Sequence, residues 1–218
     1  MNLSSLSEGF RELNSLEVLN LSSCAKLDAL PERFGKLNLT NIDFGLCQKL
    51  DVALIFDVIF KFEGLTKLSL MAFEMVTLPE RFGELSNLQT LNLQYCRALV
   101  SLPERFGQLE NLRTLNLESC RSLGSLPEGF GELKSLTSLD LQECRSLVSL
   151  SEGFGDLKNL HTLSLACCTS LGSLSEGFGD LTNLATLYLD GAPAGRSMPA
   201  ALKAQLEAQG CESSGNGW

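Results

Sequence analysis

The chain is 218 residues long, 44% hydrophobic and 20% charged, with a formal net charge of −9. That acid excess disfavours electrostatic capture of nucleic acid or of an anionic membrane surface, each of which needs a basic face. No stretch approaches the roughly 20 apolar residues that span a bilayer, and MNLSSLSEGFREL at the start has neither a basic leader nor an apolar core, so no signal peptide is expected.

The chain opens partway through a repeating unit. Leu3 and Leu6 occupy the places that Leu147 and Leu150 hold later, and no polar cap precedes them. An edge of this kind is frayed, covered by another copy of the chain, or part of something longer. Phe10 and Phe34 then fall on the same 24-residue ruler as Phe82, Phe106, Phe130, Phe154 and Phe178. One unit, residues 88–112, reads LQTLNLQYCRALVSLPERFGQLENL. Leu91 and Leu93 alternate with Thr90, Asn92 and Gln94, the period-2 pattern of a strand with one wet face. Leu88, Cys96, Leu99 and Leu102 point inward with them. Pro103 opens a short helical turn, Glu104 sits in its first turn, and Phe106, Leu109 and Leu112 roof the core from the other side. Gly107 is expected to let the chain turn back. Ser7, Ser151 and Ser175 stand where Pro103 does, and are expected to cap the turn through their hydroxyls.

Eight strands are predicted, centred on Leu19, Ile42, Leu68, Leu91, Leu115, Leu139, Leu163 and Leu187. The units before Phe82 are irregular, and residues 51–63 form the most apolar segment. Leu54, Ile55, Phe56, Ile59 and Phe60 either fill a larger helix on the outer side or are partly exposed as a protein interface. Asp57 and Lys61 have the spacing of a charge pair on one helical face. The domain reading is a solenoid of about eight 24-residue units over 1–192, a capping helix over 193–210 with Ala201, Leu202 and Leu206 covering the last turn, and a flexible Ser/Gly-rich tail over 211–218.

Of the eight cysteines, Cys24, Cys96, Cys120, Cys144 and Cys168 obey the ruler, and Cys47 holds the same slot in an irregular unit. A column of like thiols facing one way reads as a core position, because parallel side-chain vectors oppose disulfide formation even at the roughly 5 Å strand spacing. A reducing, cytoplasmic compartment is therefore expected.

A period between about 20 and 29 built on LxxLxLxx is the pattern of a leucine-rich-repeat solenoid. The predicted fold is α/β: a right-handed horseshoe with a parallel sheet on the concave face and short helical turns on the convex face. Over 3–189 the string LxxLxLxxCxxLxxLPExFGxL resembles the leucine-rich repeats of plant intracellular disease-resistance receptors. It is also similar to the Ras-group, Shoc-2-like repeats. The resemblance implies a curved solenoid used for protein recognition. The nucleotide-binding and signalling domains of the plant receptors have no counterpart in this sequence.

Candidate partner-binding residues are the polar side chains around the strand leucines: Asn92, Gln94, Tyr95, Asn116, Glu118, Asp140, Gln142 and Glu143. Arg97, Arg121 and Arg145 form a column one place after the cysteine slot. That column either grips an acidic partner or is neutralised by Glu118, Glu143 and salt. The column Glu80, Glu104, Glu128, Glu152 and Glu176 reads as a helix-start feature.

No catalytic constellation is evident. His161 is the sole histidine, and Cys167 lacks an orienting third group. No CxxC pair suggests zinc, no GxxxxGK[ST] loop suggests a nucleotide, and no cofactor is expected. The reading is a non-enzymatic module binding a protein or peptide through its concave face, in signalling or defence. A structural spacer or fragment of a larger receptor is the alternative. An inhibitor of the ribonuclease-inhibitor type is disfavoured by the short repeat.

Overall fold

The computed structural model describes residues 3–214. Its strands are β1 Val18–Asn20, β2 Asn41–Asp43, β3 Lys67–Ser69, β4 Thr90–Asn92, β5 Thr114–Asn116, β6 Ser138–Asp140, β7 Thr162–Ser164, β8 Thr186–Tyr188 and β9 Glu212–Ser214. They form one parallel sheet in strict chain order, with Leu68, Leu91, Leu115, Leu139, Leu163 and Leu187 in register across it. The eight predicted strands are all present. Most units return along a 3-10 helix, as at Glu80–Glu84, Glu104–Gln108 and Glu128–Glu132, whereas the chain between β2 and β3 and that after β8 return along α-helices. Pro103 lies one residue before its helix, as the N-cap.

The core is a line of stacked leucines closed by a phenylalanine ladder. Phe82, Phe106, Phe130, Phe154 and Phe178 lie nearly parallel, their ring centres 6.4, 6.3, 6.1 and 6.1 Å apart. Strands in a sheet lie about 4.8 Å apart. The wider step on the helical side makes the sheet the inner face of the curve.

Gly107 acts differently from expectation. Its φ is not positive; instead, a Cβ there would stand 2.1 Å from the carbonyl oxygen of Gly129 in the next unit. Gly83, Gly131 and Gly155 make the same close approach, so this glycine column sets how tightly the 3-10 helices stack.

Ser151 and Ser175 also depart from expectation. Ser7 accepts a hydrogen bond from Gly9 N, but the hydroxyls of Ser151 and Ser175 make no capping bond and are buried without a partner. The backbone there is already that of proline: φ is −61° at Ser151 and −67° at Ser175, against −65° at Pro103. Ser151→Pro with Ser175→Pro is expected to stabilise the chain by about 0.4–1 kcal/mol per site, since proline restricts the unfolded chain and removes a buried orphan hydroxyl. A thermal midpoint equal to or below that of the parent would show that the hydroxyls have an unseen partner.

The apolar insert forms helix α1, Val52–Ile59, capped by the Asp51 side chain on Ala53 N. Ile55, Val58 and Ile59 are buried, whereas Leu54, Phe56 and Phe60 are half-buried. Phe56 and Phe60 meet Phe82 edge-on at 6.4 Å, so α1 extends the ring ladder across the irregular units. The Asp57–Lys61 pair does not form, because α1 ends at Ile59 and the Lys61 stem lies over Gly35.

The C-terminal cap is two helices rather than one, α2 Pro193–Arg196 and α3 Ala200–Ala208. Leu206 is fully buried, Leu202 is half-buried and Ala201 is exposed, so Ala201 does not cover the last turn. Gln205 and Gln209 donate to the carbonyl of Gly179, taking the place of a following 3-10 helix. The expected flexible tail instead begins as structure. Gly210 turns the chain at φ +80°, Cys211 is buried, and Glu212–Ser214 pairs with β8 as a ninth strand. Residues 215–218 of that tail lie outside the described residues. At the other end, Leu13 and Val18 are exposed, and Leu3, Leu6, Phe10 and Leu16 are only half-buried. Among the described residues, no helix is long and apolar enough to cross a membrane.

Candidate functional site

Five of the strands, β1, β2, β4, β5 and β6, end in the same side-chain-capped turn, and it explains which side chains reach solvent. In these the last strand residue accepts a hydrogen bond on its side-chain oxygen from the N–H two residues on. The pairs are Asn20 to Ser22, Asp43 to Gly45, Asn92 to Gln94, Asn116 to Glu118 and Asp140 to Gln142, at 2.8–2.9 Å. This is the Asx turn that short amide and carboxylate side chains favour. Asn92, Asn116 and Asp140, read from the sequence as partner contacts, therefore spend one oxygen holding the backbone. The residue three after the end of each strand from β1 to β8 is left-handed: Ser23, Leu46, Ala72, Tyr95, Ser119, Glu143 and Cys167 have φ between 57° and 63°, and Gly191 has φ 74°. Such a conformation costs a non-glycine residue on the order of 1 kcal/mol. It projects Tyr95 and Glu143 from the rim of the inner face, while Ser119 between them is buried.

The fourth to sixth units bring these residues together. The Gln94 side-chain amide donates to Glu118 in a short hydrogen bond, and the Tyr95 hydroxyl lies 3.5 Å from the same carboxylate. Arg97 rests beside the Tyr95 ring at 5.8 Å. One oxygen of Glu143 accepts from both Arg121, at 2.7 Å, and Arg145, at 3.2 Å. The Arg121 hydrogen bond, reinforced by the charges of both guanidiniums, holds the Glu143 carboxyl below its usual range. Glu143 thus pairs with two of the three column arginines, Arg121 and Arg145, and not with Arg97. Glu118 turns instead to Gln94 and Tyr95.

Two further ladders escaped the sequence reading. Each column cysteine after Cys24 donates its S–H to the carbonyl of the preceding unit's second strand leucine or its equivalent: Cys47 to Leu21, Cys96 to Leu70, Cys120 to Leu93, Cys144 to Leu117 and Cys168 to Leu141, at 3.0–3.2 Å. Burial pushes these thiols up, to about 11 for Cys96 and about 12 for Cys168. They stay protonated, which suits a donor and not a nucleophile. The asparagines Asn38, Asn87, Asn111, Asn159 and Asn183 donate likewise to carbonyls one unit back. The cysteine register was legible in the sequence; the donation by either column was not. Cys167 is exposed, and the His161 ring nitrogen engages the Asn159 carbonyl at 2.6 Å. Among the described residues, no three His, Cys, Asp or Glu side chains could hold a metal ion.

A stacked parallel ladder with a left-handed residue after each strand from β1 to β8 is matched by the family model of a leucine-rich-repeat region over residues 42–167, and by that of a single leucine-rich repeat over 15–37. The chain belongs to the leucine-rich-repeat family. Among solved structures, this leucine-rich-repeat chain is similar to a leucine-rich-repeat protein of Leptospira interrogans. The two share 31% identity and a TM-score of 0.74, over 86% of this chain and 46% of that one. The chain therefore spans less than half the length of that relative. The leucine-rich-repeat domain of the type III effector XopL matches at 25% identity and a TM-score of 0.60, over 90% of this chain and 75% of that one. A plant peptide hormone receptor, RGFR1 in complex with RGF2, shares the fold alone, at 23% identity and a TM-score of 0.50, over 87% of this chain and 36% of that one. No curated protein matches the chain. Leucine-rich-repeat domains generally mediate protein–protein interaction, and the fold is typically a non-enzymatic scaffold.

Proposed function

We propose that the chain is a non-catalytic recognition module. It takes a protein or peptide partner on the inner sheet face and turn rim of its fourth to sixth units. One observation carries this reading: Tyr95, Glu118 and Glu143 sit on a rim whose backbone is locked by hydrogen-bonded turns. Side chains on such a frame lose little freedom on binding, which favours affinity. Tyrosine and arginine together are also the residues over-represented where binding energy concentrates. The resemblance to disease-resistance and Ras-group repeats supports a role in signalling or defence. The column of protonated, hydrogen-bonded thiols suits a reducing compartment such as the cytoplasm.

The test is affinity capture from an extract of the source organism with the intact chain and with a Tyr95→Ala, Glu118→Ala, Glu143→Ala variant. Both must show the same circular-dichroism melt. The variant is expected to lose the partners that the intact chain retains. Identical partner lists from the two would leave the chain as a spacer.

A further inference from the structure

We infer that the arginine column is a docking strip for an acidic α-helical segment of the partner. This deepens the recognition reading and rests on it. In the slot after each column cysteine or its equivalent, successive units carry Ala25, Gln48, Glu74, Arg97, Arg121, Arg145 and Thr169. Three consecutive cations thus stand in a molecule of net charge −9. Among the described residues, only one carboxylate, that of Glu143, forms an ion pair with any of them, and it is divided between Arg121 and Arg145. Arg97 is exposed and lies against the Tyr95 ring, with no carboxylate in ion-pair contact among the described residues. The Nε of Arg121 has no acceptor. The strip therefore carries three guanidiniums and one directly paired carboxylate, a surplus of positive charge held on rigid turns.

Spacing selects the shape of the partner. Adjacent strands lie about 4.8 Å apart, and the terminal nitrogens by which Arg121 and Arg145 share one Glu143 oxygen, at 2.7 and 3.2 Å, are within about 6 Å of each other. Carboxylates three or four residues apart on a helix lie about 5–6 Å apart, so a stripe at i, i+4 and i+7 keeps pace with all three arginines. Same-face residues of an extended chain are about 6.8 Å apart. Such a chain falls about 2–4 Å out of step by the third. Glu74 fixes the register, because at the end of the column it repels a fourth carboxylate and attracts a basic residue. Guanidinium forks suit carboxylates through paired hydrogen bonds, and a nucleic-acid backbone is disfavoured by the acidic remainder of the molecule.

The experiment uses the full chain and three fluorescent alanine-rich helical peptides, read by anisotropy. The first carries glutamates at i, i+4 and i+7 with a lysine one turn beyond. The second has the same composition with the glutamates dispersed around the helix, and the third has lysines in place of the glutamates. The striped acidic peptide is expected to bind at least about tenfold more tightly than either control. Its affinity should fall steeply as salt rises from about 50 to about 300 mM. Arg97→Ala and Arg145→Ala, at exposed positions, should each weaken it about fivefold or more with the circular-dichroism melt unchanged. Equal binding of the striped and dispersed peptides, binding of the lysine peptide, or insensitivity to both arginine substitutions would overturn the inference. If it falls while the Tyr95, Glu118 and Glu143 variant still loses its captured partners, the recognition reading stands without the acidic helix.

Discussion

Replacing Phe130 with alanine is expected to lower the unfolding free energy by about 3–5 kcal/mol. The side chain is fully buried, and its ring lies parallel to Phe106 at 6.3 Å and to Phe154 at 6.1 Å. Each such aromatic pair adds about 0.5–1.5 kcal/mol beyond area burial, and the substitution removes two of them. The void cannot collapse easily, because the strand ladder holds one wall and the 3-10 stack the other. In a solenoid each unit leans only on its neighbours, so a central loss weakens both adjoining interfaces. Urea unfolding followed by circular dichroism reads the effect against Val148→Ala. Val148 is 62% exposed, and its truncation should matter by less than about 0.5 kcal/mol. Coincident midpoints for the two variants would mean that the ring ladder does not hold the units together.

Adding one methyl group at Gly131 is expected to be nearly as damaging as removing that ring. An alanine Cβ there would lie 2.1 Å from the Gly153 carbonyl oxygen and 2.8 Å from its carbon. Both are backbone atoms of the next unit, with no rotamer to escape into. To restore an ordinary contact, the two 3-10 helices must part by about 1 Å, which loosens the Phe130–Phe154 stack as well. Overpacking of this kind costs typically about 1–3 kcal/mol, and the rigid neighbour places Gly131→Ala at the upper end, near 3. Gly124→Ala is the counterpart. Its Cβ would meet nothing within 4 Å and its φ is not positive. It should be neutral or stabilise by about 0.4–1 kcal/mol through the unfolded chain. A Gly131→Ala melt matching that of Gly124→Ala would show that the close approach of these turns is not required.

Much of this architecture was legible before any coordinates. Leu91 and Leu93 alternating with polar neighbours, Phe106 on a 24-residue ruler and Cys96 in a repeated slot each read as buried, and each is. The candidate patch was legible as a set of residue types but not as a set of contacts. Gln94, Tyr95 and Glu118 do meet, and Glu143 does join Arg121 to Arg145. Asn92, Asn116 and Asp140, by contrast, turned out to brace the turn. The serines at 151 and 175 misled because serine is a good cap in general. Here the hydroxyl is buried without a bond to the amides it would have served, although Ser7, on nearly the same backbone, makes one.

The amino-acid order by itself determined the repeat length, the eight inner strands, the inward leucines and the ring ladder. Each follows from a local period that must bury one face, and a unit too small to fold alone has to stack on its copies. The tertiary structure alone decided the spacing between copies and everything that spacing controls. The column at Gly83, Gly107, Gly131 and Gly155 is glycine because the next turn arrives within reach of a Cβ. The cysteines and asparagines became donors because a carbonyl of the preceding unit lies within about 3 Å. The residues after Gly210 became a ninth strand because β8 offered an unpaired edge. These are distances between segments two dozen residues apart, set by how curved layers nest, and no local pattern encodes them.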